Sequence, residues 1–120
     1  MSRTLRVTAT AAADITEVLA RSEGEFGPSA SGRFARLIAV AFDQLRAGEP
    51  PGSLARKELG PGVRTFHLRL CPVGGGASDR IRTPRHLIAY RAEARSVVVL
   101  RLLHERMDLP RQIPPVEEET

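Results

Sequence analysis

The chain has 120 residues, 42% hydrophobic and 27% charged, with a formal net charge of +4, a length that makes one small domain but not two and a balance that excludes wholesale disorder. No apolar run approaches the roughly 18 residues that cross a bilayer, since the longest, Leu37–Phe42, is far shorter. Met1–Val7 shows no apolar signal region and Cys71 is the only cysteine, so a cytoplasmic protein without a disulfide framework is expected.

The first element is a short strand at Thr4–Thr8, where Leu5 and Val7 alternate with polar neighbours. A helix follows, with Ile15, Val18 and Leu19 at helical spacing, Thr10 as its cap, Asp14 and Glu17 early and Gly24 as its stop. The next segment is the clearest helix. Pro28 suits its first turn, Phe34, Leu37, Ile38, Ala41, Phe42 and Leu45 form one apolar stripe, and Gly48 closes it before Pro50 and Pro51. Joined by the tripeptide Gly27–Ser29, the two helices are expected to form a hairpin with both stripes on a common surface.

Gly and Pro punctuate Gly48–Gly62, with a short helical turn expected within Ser53–Leu59. Val63–Leu70 then alternates as a strand, Phe66, Leu68 and Leu70 on one side and Thr65, His67 and Arg69 on the other. Cys71–Thr83 contains three successive glycines and reads as a connection. Two strands follow, His86–Ala92 and Ser96–His104, with a turn at Glu93–Arg95. The last has Val98, Leu100 and Leu102 on one face and Val97, Val99 and Leu103 on the other, the mark of a central strand covered on both sides. Residues 113–120 form an acidic tail, expected to be loose, beyond a domain at 1–112. The order β-α-α-β-β-β predicts an α+β domain, a helical hairpin packed on a mainly antiparallel sheet.

The charge is uneven. Residues 61–112 carry 10 Lys+Arg against 4 Asp+Glu, while residues 1–60 carry 8 against 7, and every cation except Lys57 is arginine. Arginine's planar fork suits carboxylate and phosphate alike, so the field fits nucleic acid or an acidic protein; genome composition is a second source of the arginine skew. His67, His86, His104 and Cys71 show no metal-ligand spacing, and Gly74–Gly76 lacks the lysine and strand-to-helix setting of a phosphate loop. No metal or cofactor is expected. Cys71 reads as a structural thiol.

A metal-independent ribonuclease needs a base for the 2′-hydroxyl, cations for the phosphate and an acid for the leaving oxygen. Glu58 or His104 can move the proton, and Arg64, Arg85, Arg91 or Arg101 can hold the phosphate. Tyr90 can stack or donate. Against this, one tyrosine and no tryptophan leave little to stack an unpaired base. His104 also fits a structural histidine at a strand end, and Tyr90 a core residue with a wet hydroxyl. An open sheet edge with a basic face suits a binding role equally.

Taken together, the segments Ala11–Gly27, Ser31–Leu45, Glu58–Leu70, Pro84–Arg91 and Val97–Asp108 resemble, in order, the ParE branch of the RelE/ParE superfamily of toxins from toxin–antitoxin pairs. The pairing of Pro84–Arg91 with Leu100–Asp108 carries most of the likeness. The resemblance implies a toxin neutralised by a ParD-like antitoxin whose C-terminal segment wraps over the hairpin and sheet, with DNA gyrase as the usual target. On that footing Leu19, Phe34, Leu37 and Ile38, with Arg64, Arg85, Arg91 and Arg101, are the expected antitoxin-facing residues. His104, Arg106, Met107 and Asp108 are the expected target-facing ones. The alternative is a RelE-like messenger-RNA endoribonuclease with His104, Arg64 and Arg101 as catalytic residues; ParE-like toxins typically lack that complete set, and here no aromatic follows His104. The connection Cys71–Thr83 is longer than the family's tight hairpin.

Overall fold

A computed structural model describes residues 2–71, 84–107 and 109–113; the connection at 72–83, Asp108 and residues 114–120 lie outside the described residues. The elements in chain order are β1 (Thr4–Val7), α1 (Ala9–Phe26), α2 (Pro28–Ala47), β2 (Leu54–Ala55), β3 (Val63–His67), β4 (His86–Ala92), β5 (Ser96–His104) and α3 (Leu109–Gln112). They form one α+β architecture, the hairpin of α1 and α2 lying on a five-stranded, mostly antiparallel sheet, as expected.

Several boundaries differ from the sequence reading for local reasons. Thr8 caps α1 in place of Thr10, its Oγ1 accepting from the Ala11 amide at 3.0 Å. Gly24 does not stop α1, because an exposed glycine is tolerated inside a helix; the chain runs to Phe26 and turns at Gly27, whose φ of 93° disfavours any side chain. Gly27 alone therefore joins the two helices. Within Ser53–Leu59 the chain forms strand β2 and then a 3-10 turn at Lys57–Leu59. Strand β3 ends at His67 and not at Leu70, because Leu68–Leu70 coil into a second 3-10 turn that buries Leu68 and leaves Leu70 exposed.

The strand order is β1-β5-β4-β3-β2, with β1 parallel to β5 and the remaining pairs antiparallel. β4 and not β5 is the middle strand; β5 lies between β1 and β4 and is covered on both faces, as its apolar run predicts. A register shift at Ala89/Tyr90 sets Ala89 opposite Arg101 but Tyr90 opposite Val99, so one residue of β5 bulges. The bulge exchanges the expected faces beyond it. Val97, Val99 and Leu102 join the core under the helices, while Val98, Leu100 and Leu103 join a second core on the far face.

The first core takes Ala11, Phe34, Leu37, Ile38, Ala41 and Leu45 from the helices and Phe66, Ile88 and Tyr90 from the sheet. Leu59 from the 3-10 turn, with Leu109 and Ile113 from the C-terminal segment, closes the second core over Val63, Leu87 and Ala89. Ile113 was expected in a loose tail, yet it is only 7% exposed, because the apolar far face of β5 needs a cover.

Candidate functional site

Of the apolar residues expected at an antitoxin surface, Leu19 is half-buried and packs against the first core. Phe34, Leu37 and Ile38 are 7%, 3% and 5% exposed and belong to the core itself. The stripe that marks α2 as amphipathic is spent on the sheet, so these three shape the hairpin from beneath and do not present a surface. Among the described residues, the large hydrophobic side chains that remain exposed are Val7, Phe26, Leu54, Leu70 and Met107.

Arg64 lies beneath the helices, opposite Tyr90 in the sheet register. Both converge on Glu49, just past the end of α2. The Tyr90 hydroxyl donates to Glu49 Oε1 at 2.7 Å, Arg3 donates to Oε2 at 3.0 Å, and Arg64 Nε stands 3.3 Å from Oε1, off-line for a hydrogen bond. Arg64 also donates to the carbonyl and hydroxyl of Ser53. Burial, reinforced by the bond to Glu49, pushes the Tyr90 phenol up to about 12, which makes it a poor proton donor to a substrate at neutral pH. The knot ties the end of α2 to β3, β4 and the chain's start.

Arg101 makes a second knot. Its guanidinium grips Asp14 of α1 through Nε at 2.7 Å and an Nη at 3.0 Å, and donates to the Gln112 carbonyl at 2.9 Å. Asp14 Oδ2 also accepts the Leu102 amide at 3.1 Å. β1 ends at Val7, so the outer edge of β5 beyond Val99 has no strand beside it. Thr8 and Asp14 supply the missing partners, Thr8 donating through its amide to the Val99 carbonyl and through its hydroxyl to that of Leu100. Asp14 hydrogen-bonded and paired in this way holds the Arg101 guanidinium charged above its ordinary value.

The histidines gather at the opposite end of the sheet. His86 and His104 face each other across β4 and β5 with rings 5.2 Å apart, and Phe34 meets His86 edge-on at 5.5 Å. Burial, then the neighbouring His104, Arg21 and His67, hold His86 below its ordinary value. On the far face His67 and Arg85 share Glu105, at 2.7 and 3.3 Å, and the bond from His67 lowers the Glu105 carboxyl. His104 Nδ1 accepts the Arg106 amide at 3.1 Å, as expected of a histidine that ends a strand. Arg106 and Met107 are exposed beyond it; Asp108 lies outside the described residues.

The other sequence candidates disperse. Glu58 is exposed and bound to Arg56 at 2.7 Å, Arg91 is bound to Glu93 at 3.2 Å, and Arg85 points largely to water. The three residues of the nuclease alternative thus have three separate sets of partners: Arg64 has Glu49 and Ser53, Arg101 has Asp14 and Gln112, and His104 has His86. Cys71 is buried with its thiol raised by desolvation, in keeping with a structural role. Asp14, Glu49 and Glu105 organise the charged clusters, and sequence reasoning missed all three in that role. Their partners lie 87, 41 and 38 residues away, and no local pattern signals such pairs.

A helical hairpin laid on a mixed five-stranded sheet of order β1-β5-β4-β3-β2 defines the class of α+β fold to which the chain belongs. Residues 5–109 match the family described as the ParE toxin of the type II toxin–antitoxin system, parDE. The chain belongs to that family. Its fold is similar to a chain of the chromosomal ParDE TA system from P. aeruginosa, with a TM-score of 0.61 and 19% identity over 86% of this chain and 96% of that one. No curated protein matches the chain. Among the described residues, no helix is long and apolar enough to cross a membrane.

Proposed function

We propose that this chain acts by binding: it inhibits DNA gyrase in the cytoplasm and is held inactive by a ParD-like antitoxin. The observation that carries the reading is the dispersal of His104, Arg64 and Arg101 among separate structural partners, which favours a binding toxin over an RNA-cleaving one. The antitoxin lies over the hairpin and sheet, with Leu19 at its contact, Phe34, Leu37 and Ile38 supporting it from the core, and Arg85 and Arg91 supplying charge. Arg64 and Arg101 position the strands beneath. The target contacts Arg106 and Met107, exposed where β5 leaves the sheet, together with Asp108 and the adjoining His104.

The test pairs two assays on one preparation. Purified toxin is expected to block supercoiling by gyrase while messenger RNA stays intact, and added antitoxin to restore supercoiling. Cleavage of RNA with supercoiling unaffected overturns the proposal in favour of the endoribonuclease. Replacing both Arg106 and Met107 by alanine is expected to weaken gyrase inhibition about tenfold, the scale of two central contact residues.

A further inference from the structure

The closed end of the helical hairpin stands clear of the sheet. Thr8 bonds to Val99 and Leu100 and Asp14 to Leu102, so α1 advances along β5 in the same direction. From Leu102 the strand runs on only to His104, about 6.6 Å, whereas α1 runs from Asp14 to Phe26, about 18 Å. The helix therefore outruns the strand by about 11 Å. α2 regains the sheet at Phe34, whose ring meets His86 edge-on, so the turn at Gly27 overhangs with a stretch of helix on either side. Arg106 and Met107, exposed where β5 leaves the sheet, lie at that same end.

What the overhang carries does little for folding. Phe26, at 73%, is the most exposed large hydrophobic side chain among the described residues, so its ring adds almost nothing to the core. Glu23 and Glu25 sit in the last turn of α1, where the carbonyl end of a helix disfavours negative charge, and no basic residue in that turn offsets them. Gly24 weakens the helix between them although a side chain there would meet open space. α2 then begins without a side-chain cap. A stretch that departs from helix preference at each of these points is expected where binding, and not folding, sets the residues.

Its charge is opposite to that of the remainder. Residues 22–32 hold two carboxylates and no Lys or Arg, a net −2, while the other residues hold 18 cations against 12 acids, a net +6. An aromatic ring flanked by carboxylates fits a cationic surface with an apolar recess. Nucleic acid is repelled by this charge, and so is any partner acidic enough to seek the arginine-rich remainder. A protein that holds DNA presents the complementary surface, because it neutralises phosphates with Lys and Arg and stacks unpaired bases on apolar and aromatic side chains. On such a surface Glu23 and Glu25 stand in for phosphates and Phe26 for a base.

We propose that Phe26, with Glu23 and Glu25, forms a target-binding tip that enters the cationic DNA-binding surface of gyrase in competition with DNA. The inference rests on the gyrase reading above. It adds to the β5 exit a second contact on a different element, at residues that sequence reasoning did not assign to a site.

The test compares the toxin concentration that half-inhibits supercoiling for the unaltered protein, for Phe26→Ala, and for the Glu23→Gln, Glu25→Gln pair. Phe26→Ala is expected to raise it about thirtyfold and the glutamine pair about fivefold, the latter loss shrinking as salt is raised in a binding titration with gyrase. The thermal midpoint of each variant should stay within about 3 °C of the unaltered protein, with affinity for the antitoxin encoded beside this chain unchanged. A short DNA duplex should displace the unaltered toxin from gyrase. Undiminished inhibition by the folded variants overturns the tip and leaves the gyrase reading standing; no inhibition by the unaltered toxin overturns that reading itself. A midpoint lowered as by a core substitution makes Phe26 structural, and weakened antitoxin binding with inhibition retained makes it an antitoxin contact, and either result overturns the proposal. Toxin that stays on gyrase in excess duplex overturns the assignment to the DNA-binding surface.

Discussion

Asp14 shows how much one side chain can organise. It receives two guanidinium bonds and a strand amide, so it joins α1, β5 and, through Arg101, the carbonyl of Gln112. Both partners are largely shielded from water, at 15% and 19% side-chain exposure, so removing one leaves the other charged and poorly solvated. Asp14→Ala is expected to cost about 3 kcal/mol in urea unfolding. Asp14→Asn, which keeps an acceptor for Leu102, should cost less; equal losses would show that the charge contributes nothing. His86 carries a pH dependence of definite sign. Its folded pKa is depressed below the ordinary 6.5 by burial first, then by His104, Arg21 and His67, with Glu105 opposing. The unfolded chain therefore takes up the proton first. Stability is in full force above pH 6.5 and is lost as the pH falls from there through the folded pKa. His86→Phe, which preserves a ring against Phe34, should flatten the thermal midpoint over that window; Glu105, lowered from 4.5, acts only at more acid pH.

Elements in this chain end where side chains take over from backbone. Thr8 closes β1 and opens α1 in one residue, its hydroxyl donating to Leu100 and accepting from Ala11. Thr8→Val keeps the shape and loses both bonds, so a cost of about 1–2 kcal/mol is expected in chemical denaturation. At the start of β3, Gly62 has a φ of 73° and an added Cβ would stand 3.3 Å from the Ala92 carbonyl oxygen, so Gly62→Ala should destabilise by a further 1–2 kcal/mol or so. The helices and the three main strands were legible in the sequence because each buries a periodic face: Phe34, Leu37, Ile38, Ala41 and Leu45 announce α2 unaided. The short elements were not legible. Leu54–Ala55 forms a strand because β3 offers an edge, and Leu68–Leu70 coils although its alternation continues. The β5 bulge inverted the expected faces of Leu102 and Leu103 for a related reason, since period-two reading assumes an unbroken ladder. The candidate sites were legible as residue types and not as pairs, because Arg101 meets Asp14 only after the chain has closed an 87-residue loop.

As a whole the molecule has two cores with a sheet between them, and that arrangement decides which surfaces are free to bind. The hairpin seals one face so fully that the apolar residues first expected at an interface serve as its packing. The far face is sealed by far less chain, Leu59 from one turn and Leu109 and Ile113 from the C-terminal segment. The two cores meet only through the strands, so changes in them should be independent to the extent that the sheet is rigid. Leu45→Ala, in the first core at 0% exposure, is expected to cost about 3 kcal/mol, and Leu109→Ala, at the rim of the second, about 2 kcal/mol. A double-mutant cycle in urea should then give the sum to within about 0.5 kcal/mol. Coupling above about 1 kcal/mol would mean that β5, which contributes Val97 and Val99 to one core and Val98 and Leu100 to the other, transmits repacking through the sheet. In that event loosening the far face would also disturb the hairpin, and the two faces could not be altered separately. Additivity would instead make them separable, so that the far face can be repacked without moving the helices above it.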